Sequence, residues 1–196
     1  MTPKTVRLPD GRLWLRVASP DWEKPLDPSF ARTTGGRWNA PNSFPALYLN
    51  ANVVTARLQI ERLLDGTAST PDDLADDAYV LVAAQLPPGE LAADAVTDEG
   101  LNALGLPASY PVDGRGVPIP HSMCQPIGAA LEALPPVQGV WCRSACSDDG
   151  RGRELAWFAR GHRATAAWRD PLPYRQWRYA EDWIDIDVLE HQPDPA

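Results

Sequence analysis

The sequence predicts an α+β fold in a single domain, and three observations point there. Strand-like and helix-like stretches are interspersed, yet not as regular strand–helix–strand repeats, so a doubly wound parallel sheet is disfavoured. The length, 196 residues with 44% hydrophobic content, suits one domain with a real core. Proline, at 21 residues, stands at about twice its usual share of roughly 5%, which divides the chain into short elements joined by many loops. The expected domain spans residues 1–196.

The elements follow in order. Residues 11–18, GRLWLRVA, alternate as a strand, with Leu13, Leu15 and Val17 on one face and Trp14 with Arg16 on the other. PDWEKPLDP is a loop, and Gly35-Gly36 marks a turn before a short strand, PALYL. NANVVTARLQIERLLDG carries helix signals at both ends, Asn50 or Asn52 as a cap and Gly66 as a stop. At about 100° per residue, Val53, Ala56, Ile60, Leu63 and Leu64 share one face of that helix. AYVLVAAQL reads as a buried strand, DEGLNALGL as a short helix and SYPVDGRGVPIPHS as a long loop. QPIGAALEAL is a helix stopped by Pro135-Pro136, and GVWCRSA and ELAWFAR are strands. The tail YAEDWIDIDVLEH suggests a last strand through Trp183, Ile186 and Val188.

Composition narrows the function. Lys and Arg number 18 against 26 Asp and Glu, a net charge of −8, so the basic footprint of direct nucleic-acid binding is missing. An acidic chain suits a basic protein partner. No apolar run reaches the roughly 18 residues that span a membrane, and the N-terminal MTPKTVRLPDGRLW lacks the apolar centre of a signal peptide. Three cysteines cannot all pair within the chain, which fits reduced thiols in a cytoplasm.

Standard catalytic motifs are lacking. There is no phosphate-binding Gly-x-x-x-x-Gly-Lys loop, no Gly-x-Gly-x-x-Gly and no HExxH, and Ser144 lies in no Gly-x-Ser-x-Gly elbow. His121-x-x-Cys124 and Cys142-x-x-x-Cys146 offer soft ligands, but their spacing matches no closed zinc module, and no metal is expected. Arginine and carboxylate remain. Arg37 follows two glycines, which permit close backbone approach, and its planar fork suits phosphate in a cleft that Trp38 would wall; a surface arginine stacked on Trp38 is the plainer alternative. Gln59 and Glu61 lie about 200° apart on their helix, so a regular helix cannot aim both into one small site. Arg57, four residues before Glu61, offers it an ordinary surface ion pair.

Taken together, LWLRVAS, GGRWN, ALYL, ARLQIER and QGVWCRSA, in that order over residues 13–160, resemble the RES-domain family. These are toxins of bacterial toxin–antitoxin pairs with an ADP-ribosyltransferase-like fold of mixed sheets and flanking helices. The resemblance implies a cytoplasmic enzyme with NAD⁺ as substrate, degraded by cleavage of the nicotinamide–ribose bond. It implies no metal, and as partner an antitoxin carrying a helix-turn-helix domain. Some members hydrolyse or phosphorolyse NAD⁺ and others transfer ADP-ribose to a protein, so an ADP-ribosyltransferase is the alternative. A catalytically inactive module that binds the antitoxin or a nucleotide is a third reading.

Carried over residue by residue, the family's two arginines fall on Arg16 and Arg37, its strand tyrosine on Tyr48 and its serine on Ser144. Arg16 and Arg37 would hold the pyrophosphate or ribose, Tyr48 the nicotinamide, and Ser144 would hydrogen-bond nearby. The family glutamate comes eleven residues after the tyrosine, and that count lands on Gln59. Either the helix shifts so that Glu61 serves, or Gln59-Ile60-Glu61 acts as a Gln-x-Glu pair with Glu61 catalytic, or Gln59 replaces the glutamate, naturally or by design. In the last case the cleft loses a charge aimed at the ribosyl cation, and turnover is expected to be weakened by roughly 10²–10³.

Overall fold

The computed structural model describes residues 2–147 and 151–182. Its strands are β1 (Thr5–Arg7), β2 (Trp14–Ala18), β3 (Ala46–Asn50), β4 (Val80–Gln85), β5 (Leu91–Ala95), β6 (Gly139–Arg143), β7 (Arg153–Phe158), β8 (Thr165–Ala166) and β9 (Leu172–Pro173). Its α-helices are α1 (Ser29–Thr34), α2 (Val53–Leu64), α3 (Asp98–Ala103) and α4 (His121–Glu132). The strands form one sheet in the order β1-β5-β6-β7-β3-β2-β4-β8, with β9 also on β4. Only β5 and β6 run parallel among these pairs. The α+β class therefore holds.

Alternation along the central strands sorts the core onto two faces. Trp14, Leu47, Leu49, Trp141, Leu155 and Trp157 pack on one face. There Trp14 and Trp141 meet edge-on with ring centroids 5.4 Å apart, a favourable aromatic geometry. On the other face Ala46, Val140, Cys142, Ala156 and Phe158 pack beneath α4 with Trp38 and Tyr110. Leu15, Val17, Leu81 and Ala83 meet Ala56 and Ile60 of α2 farther along. All five residues of β2 are buried, because both faces of this strand are covered.

α2 forms where its caps place it. The Asn52 side chain accepts a hydrogen bond from Thr55 N at 2.8 Å, while Asn50 belongs to β3. Gly66 follows the helix end at φ +77°, as a glycine stop should. The buried arc departs from the expected one at Leu63, which is 57% exposed. Leu63 lies about 40° from Gln59 around the helix and about 60° from Ile60, at the polar edge of the apolar arc.

Three further differences have physical causes. α4 begins at His121 rather than Gln125 despite Pro126 inside it, because the extra turn buries Cys124 in line with Gly128 and Leu131. β5 was not expected: LAADA is alanine-rich, and its pairing with β1 and β6 overrides a weak strand propensity. α1 is too short to show a stripe. The expected strand through Trp183, Ile186 and Val188 lies outside the described residues.

Gly128 lets α4 lie directly on the Trp38 backbone; a Cβ there would overlap the Trp38 carbonyl. Gly128→Ala is expected to cost about 1–3 kcal/mol by overpacking, read as a melting temperature several degrees lower in thermal denaturation.

Candidate active site

β2 and β3 share a single register pair, Leu15 with Asn50, and separate beyond it. A cleft of about 470 Å³ opens at that fork. Arg16 and Val17 of β2 line one side, and Tyr48, Leu49 and Asn50 of β3 another. Gln59 and Arg62 of α2, the α1 end with Gly35-Gly36-Arg37, and Cys146 and Glu154 complete the wall. Its size is in the range of small-molecule sites.

The Gly-Gly-Arg-Trp-Asn loop is tied to β3 by one hydroxyl. Tyr48 Oη donates to Asn39 Oδ1 at 2.7 Å and accepts from Trp38 N at 2.9 Å. Asn39 in turn donates to Ala31 O and Phe44 O. Gly35 takes φ +73°, in the region where glycine is favoured. Gly36 packs against the Tyr48 ring so closely that a Cβ would overlap its hydroxyl. The glycine pair thus has two separate tasks, a turn and a close approach. Burial pushes the Tyr48 phenol well above its ordinary range, so it stays protonated.

This clamp presents Arg37 to the cleft. Its Nη1 donates to Ile119 O at 2.8 Å, which braces the guanidinium from the segment before α4. Arg16 is only 7% exposed, and its Nε and Nη1 have no hydrogen-bond partner. The guanidinium lies over the Trp22 ring, 5.5 Å from its centroid. Burial lowers its pKa to about 10, offset in part by Asp27, so it remains charged at neutral pH. A buried cation with unpaired donors is costly unless an anion satisfies it.

Gln59 sits in the cleft and its Oε1 accepts from Asn50 Nδ2 at 2.9 Å. Glu61 does not reach the cleft: it pairs with Arg57 at 2.6 Å, four residues back, as helix geometry requires. α2 runs without a break from its Asn52 cap to Leu64, and in it Gln59 rather than Glu61 borders the cleft. Trp38, expected beside Arg37 as a cleft wall, is instead 1% exposed in the core against Tyr110. Ser144 is fully buried behind the wall, and its Oγ donates to Glu154 Oε1 at 2.5 Å while accepting from Cys146 N.

Glu154 is the residue that sequence reading missed. It is the register partner of Asn50 across β3 and β7, so it shares the Tyr48–Asn50 face. The signal was a lone acid in the strand RELAWF, one residue out of phase with the apolar Leu155 and Trp157. Burial raises its pKa, and Ser144, Arg37 and Cys146 pull it back. His121 also borders the cleft, with a pKa lowered by burial and then by Arg37. Among the described residues no three His, Cys, Asp or Glu side chains converge as metal ligands would.

Comparison with known proteins fits this geometry. The RES domain family profile matches residues 12–182. The chain belongs to the RES domain family. The NAD(+) phosphorylases MbcT of Mycobacterium bovis and of Mycobacterium tuberculosis are each 33% identical to it over 113 residues. That match covers 56% of this chain and 55% of theirs, so this RES chain spans about half the length of the curated relatives it matches. Its fold is similar to a chain in the crystal structure of the M. tuberculosis MbcT–MbcA toxin–antitoxin complex, with a TM-score of 0.69 and 23% identity. That superposition covers 90% of this chain and 92% of the other.

Two outcomes follow from the geometry. Tyr48→Phe leaves the Trp38 N–H and Asn39 Oδ1 unpaired and is expected to lower stability by about 1–3 kcal/mol, measured by denaturant unfolding. For Glu154 the folded pKa is raised, so the stability it contributes is present at low pH and lost as pH rises through that value. Glu154→Gln cannot ionise. It is expected to be more stable than the parent at pH 7, with the gain shrinking towards pH 4, in unfolding curves at the two pH values.

Proposed function

We propose that this RES domain cleaves the bond between nicotinamide and ribose in NAD⁺. The observation that carries this reading is the buried Arg16 guanidinium with two unpaired N–H groups, bordering the same cleft as Arg37. Two cations bordering one cleft suit a pyrophosphate, whose oxygens would complete the missing hydrogen bonds. The family and the phosphorylase relatives support the same reaction class.

The cleavage follows from the site's shape. The C1′–N bond breaks with its electron pair leaving on nicotinamide, whose ring nitrogen becomes neutral. Positive charge passes to the ribose, as in glycoside cleavage. Water or phosphate then attacks C1′; with water, one proton is released to solvent. The chain's residues hold the diphosphate through Arg16 and Arg37 and border the nicotinamide end with the Tyr48 ring. Gln59 offers an amide hydrogen bond to a ribose hydroxyl. Fixing the leaving bond in one orientation lowers the barrier without strengthening ground-state binding alone.

In the same reading the chain acts in the cytoplasm as the toxin of a pair, and its partner is an antitoxin with a helix-turn-helix domain. No helix among the described residues is long and apolar enough to cross a membrane. The antitoxin assignment draws support from the fold shared with the MbcT–MbcA complex.

The test is NAD⁺ loss and nicotinamide release by the purified chain, with and without inorganic phosphate. Arg37→Ala is expected to reduce kcat/KM by roughly 10²-fold or more, as loss of a charged contact to a bound diphosphate should. Phosphate dependence and a phosphorylated ribose product mark phosphorolysis, and free ADP-ribose marks hydrolysis. Label from NAD⁺ retained on protein would replace this reading with protein ADP-ribosylation.

A further inference from the structure

The helix that should carry an acid carries an amide, yet the cleft does not lack a carboxylate. We propose that Glu154 on β7 supplies the negative charge facing the ribose as the nicotinamide bond breaks, in place of an acid on α2. This inference rests on the NAD⁺-cleaving reading and names the residue that completes it.

Three observations carry it. The first is position. Glu154 and Asn50 are register partners on adjacent strands, and Asn50 donates to Gln59 at 2.9 Å. Gln59 and Glu154 therefore flank the same asparagine, and both line the same cleft. Partners of this kind hold their Cβ atoms about 5 Å apart, so a charge on β7 replaces one on α2 with a small displacement across the cleft.

The second is support. Ser144 Oγ holds Glu154 Oε1 at 2.5 Å and is itself fixed by Cys146 N at 3.0 Å. A carboxylate intended only to fill space would not need a buried serine, and Ser144 is fully buried. The third is availability. Among the described residues no cation lies in ion-pair contact with Glu154. Arg37 shares its cleft and is braced on Ile119 O instead. A carboxylate held by a serine hydroxyl rather than locked in an ion pair is one whose charge a developing cation can use.

The chemistry needs no co-reactant beyond the nucleophile already named. As the C1′–N bond lengthens, its electrons go to nicotinamide and the ribosyl cation forms opposite the Glu154 carboxylate. The carboxylate stabilises that charge and is unchanged at the end. This interaction is absent from the ground state of the ribose, so it raises kcat rather than binding.

The experiment compares the parent chain, Glu154→Gln, Gln59→Glu and the double variant, each followed for NAD⁺ consumption and for ADP-ribose binding by calorimetry. The parent is expected to consume NAD⁺. Glu154→Gln is expected to lose roughly 10²–10³ in kcat with ADP-ribose binding unchanged. The double variant, with a carboxylate restored on α2, is expected to regain turnover over Glu154→Gln, which a merely structural role for Glu154 would not produce. The inference is overturned if Glu154→Gln turns over as fast as the parent, if it loses ADP-ribose binding along with turnover, or if the double variant regains nothing. It is also overturned if the parent is inert and Gln59→Glu alone consumes NAD⁺. In each of those cases at least one form still cleaves NAD⁺ and the broader reading stands. If no form consumes NAD⁺, both fall together.

Discussion

The Tyr48 hydroxyl is the contact on which the rest of the site depends. It joins β3 to the Gly-Gly-Arg-Trp-Asn loop by one bond donated and one accepted. Asn39 extends the tie to α1 and to the loop before β3. Gly36 allows the ring to approach, since any side chain would displace the hydroxyl. Arg37 is then turned towards the cleft rather than towards water. The paired hydroxyl and Asn39 together link β3, the loop, α1 and the segment before β3, because leaving a part-buried partner unpaired would be expensive.

The cleft itself comes from an incomplete sheet. β2 and β3 stay together for one register pair and then part, and the opening between them is lined by main-chain neighbours of both strands. By alternation Arg16 belongs with Trp14, on the face away from Asn50, yet the fork lets it border the same space as Tyr48. The overall charge of −8 says little about this site. Locally, three guanidinium groups and one carboxylate line the cleft; Arg62 is paired with Asp65, whereas among the described residues Arg16 and Arg37 have no carboxylate within ion-pair distance. Such separation stores electrostatic free energy that a charged ligand can release.

Much of the site was legible before any tertiary information. The turn at Gly35-Gly36, the cap of α2 and the strand ending in Tyr48 are local features, written in a few adjacent residues. Arg16, Arg37, Tyr48 and Gln59 could be named from the order of short motifs, and the structure brings these four to one cleft. The angle of about 200° between Gln59 and Glu61 meant that both could not face one small target, but which of them does followed only from the structure. Glu154 could not be named, because its proximity to Gln59 runs through a strand pairing between residues about a hundred positions apart. Trp38 was misplaced for a related reason: nothing local distinguishes an indole that walls a cleft from one that fills a core.

The α+β class, the central helix with its caps and the likeness to the RES family could be read from the chain alone. Those properties depend on periodicity, turn chemistry and motif order, all short-range along the chain. Three features needed the folded chain: β2 and β3 part to open a cleft, Ser144 sits behind Glu154 rather than in the opening, and a carboxylate on β7 lines the same cleft as the amide on α2. Register between distant strands sets those outcomes, and a one-residue slip would turn every one of these side chains to the other face.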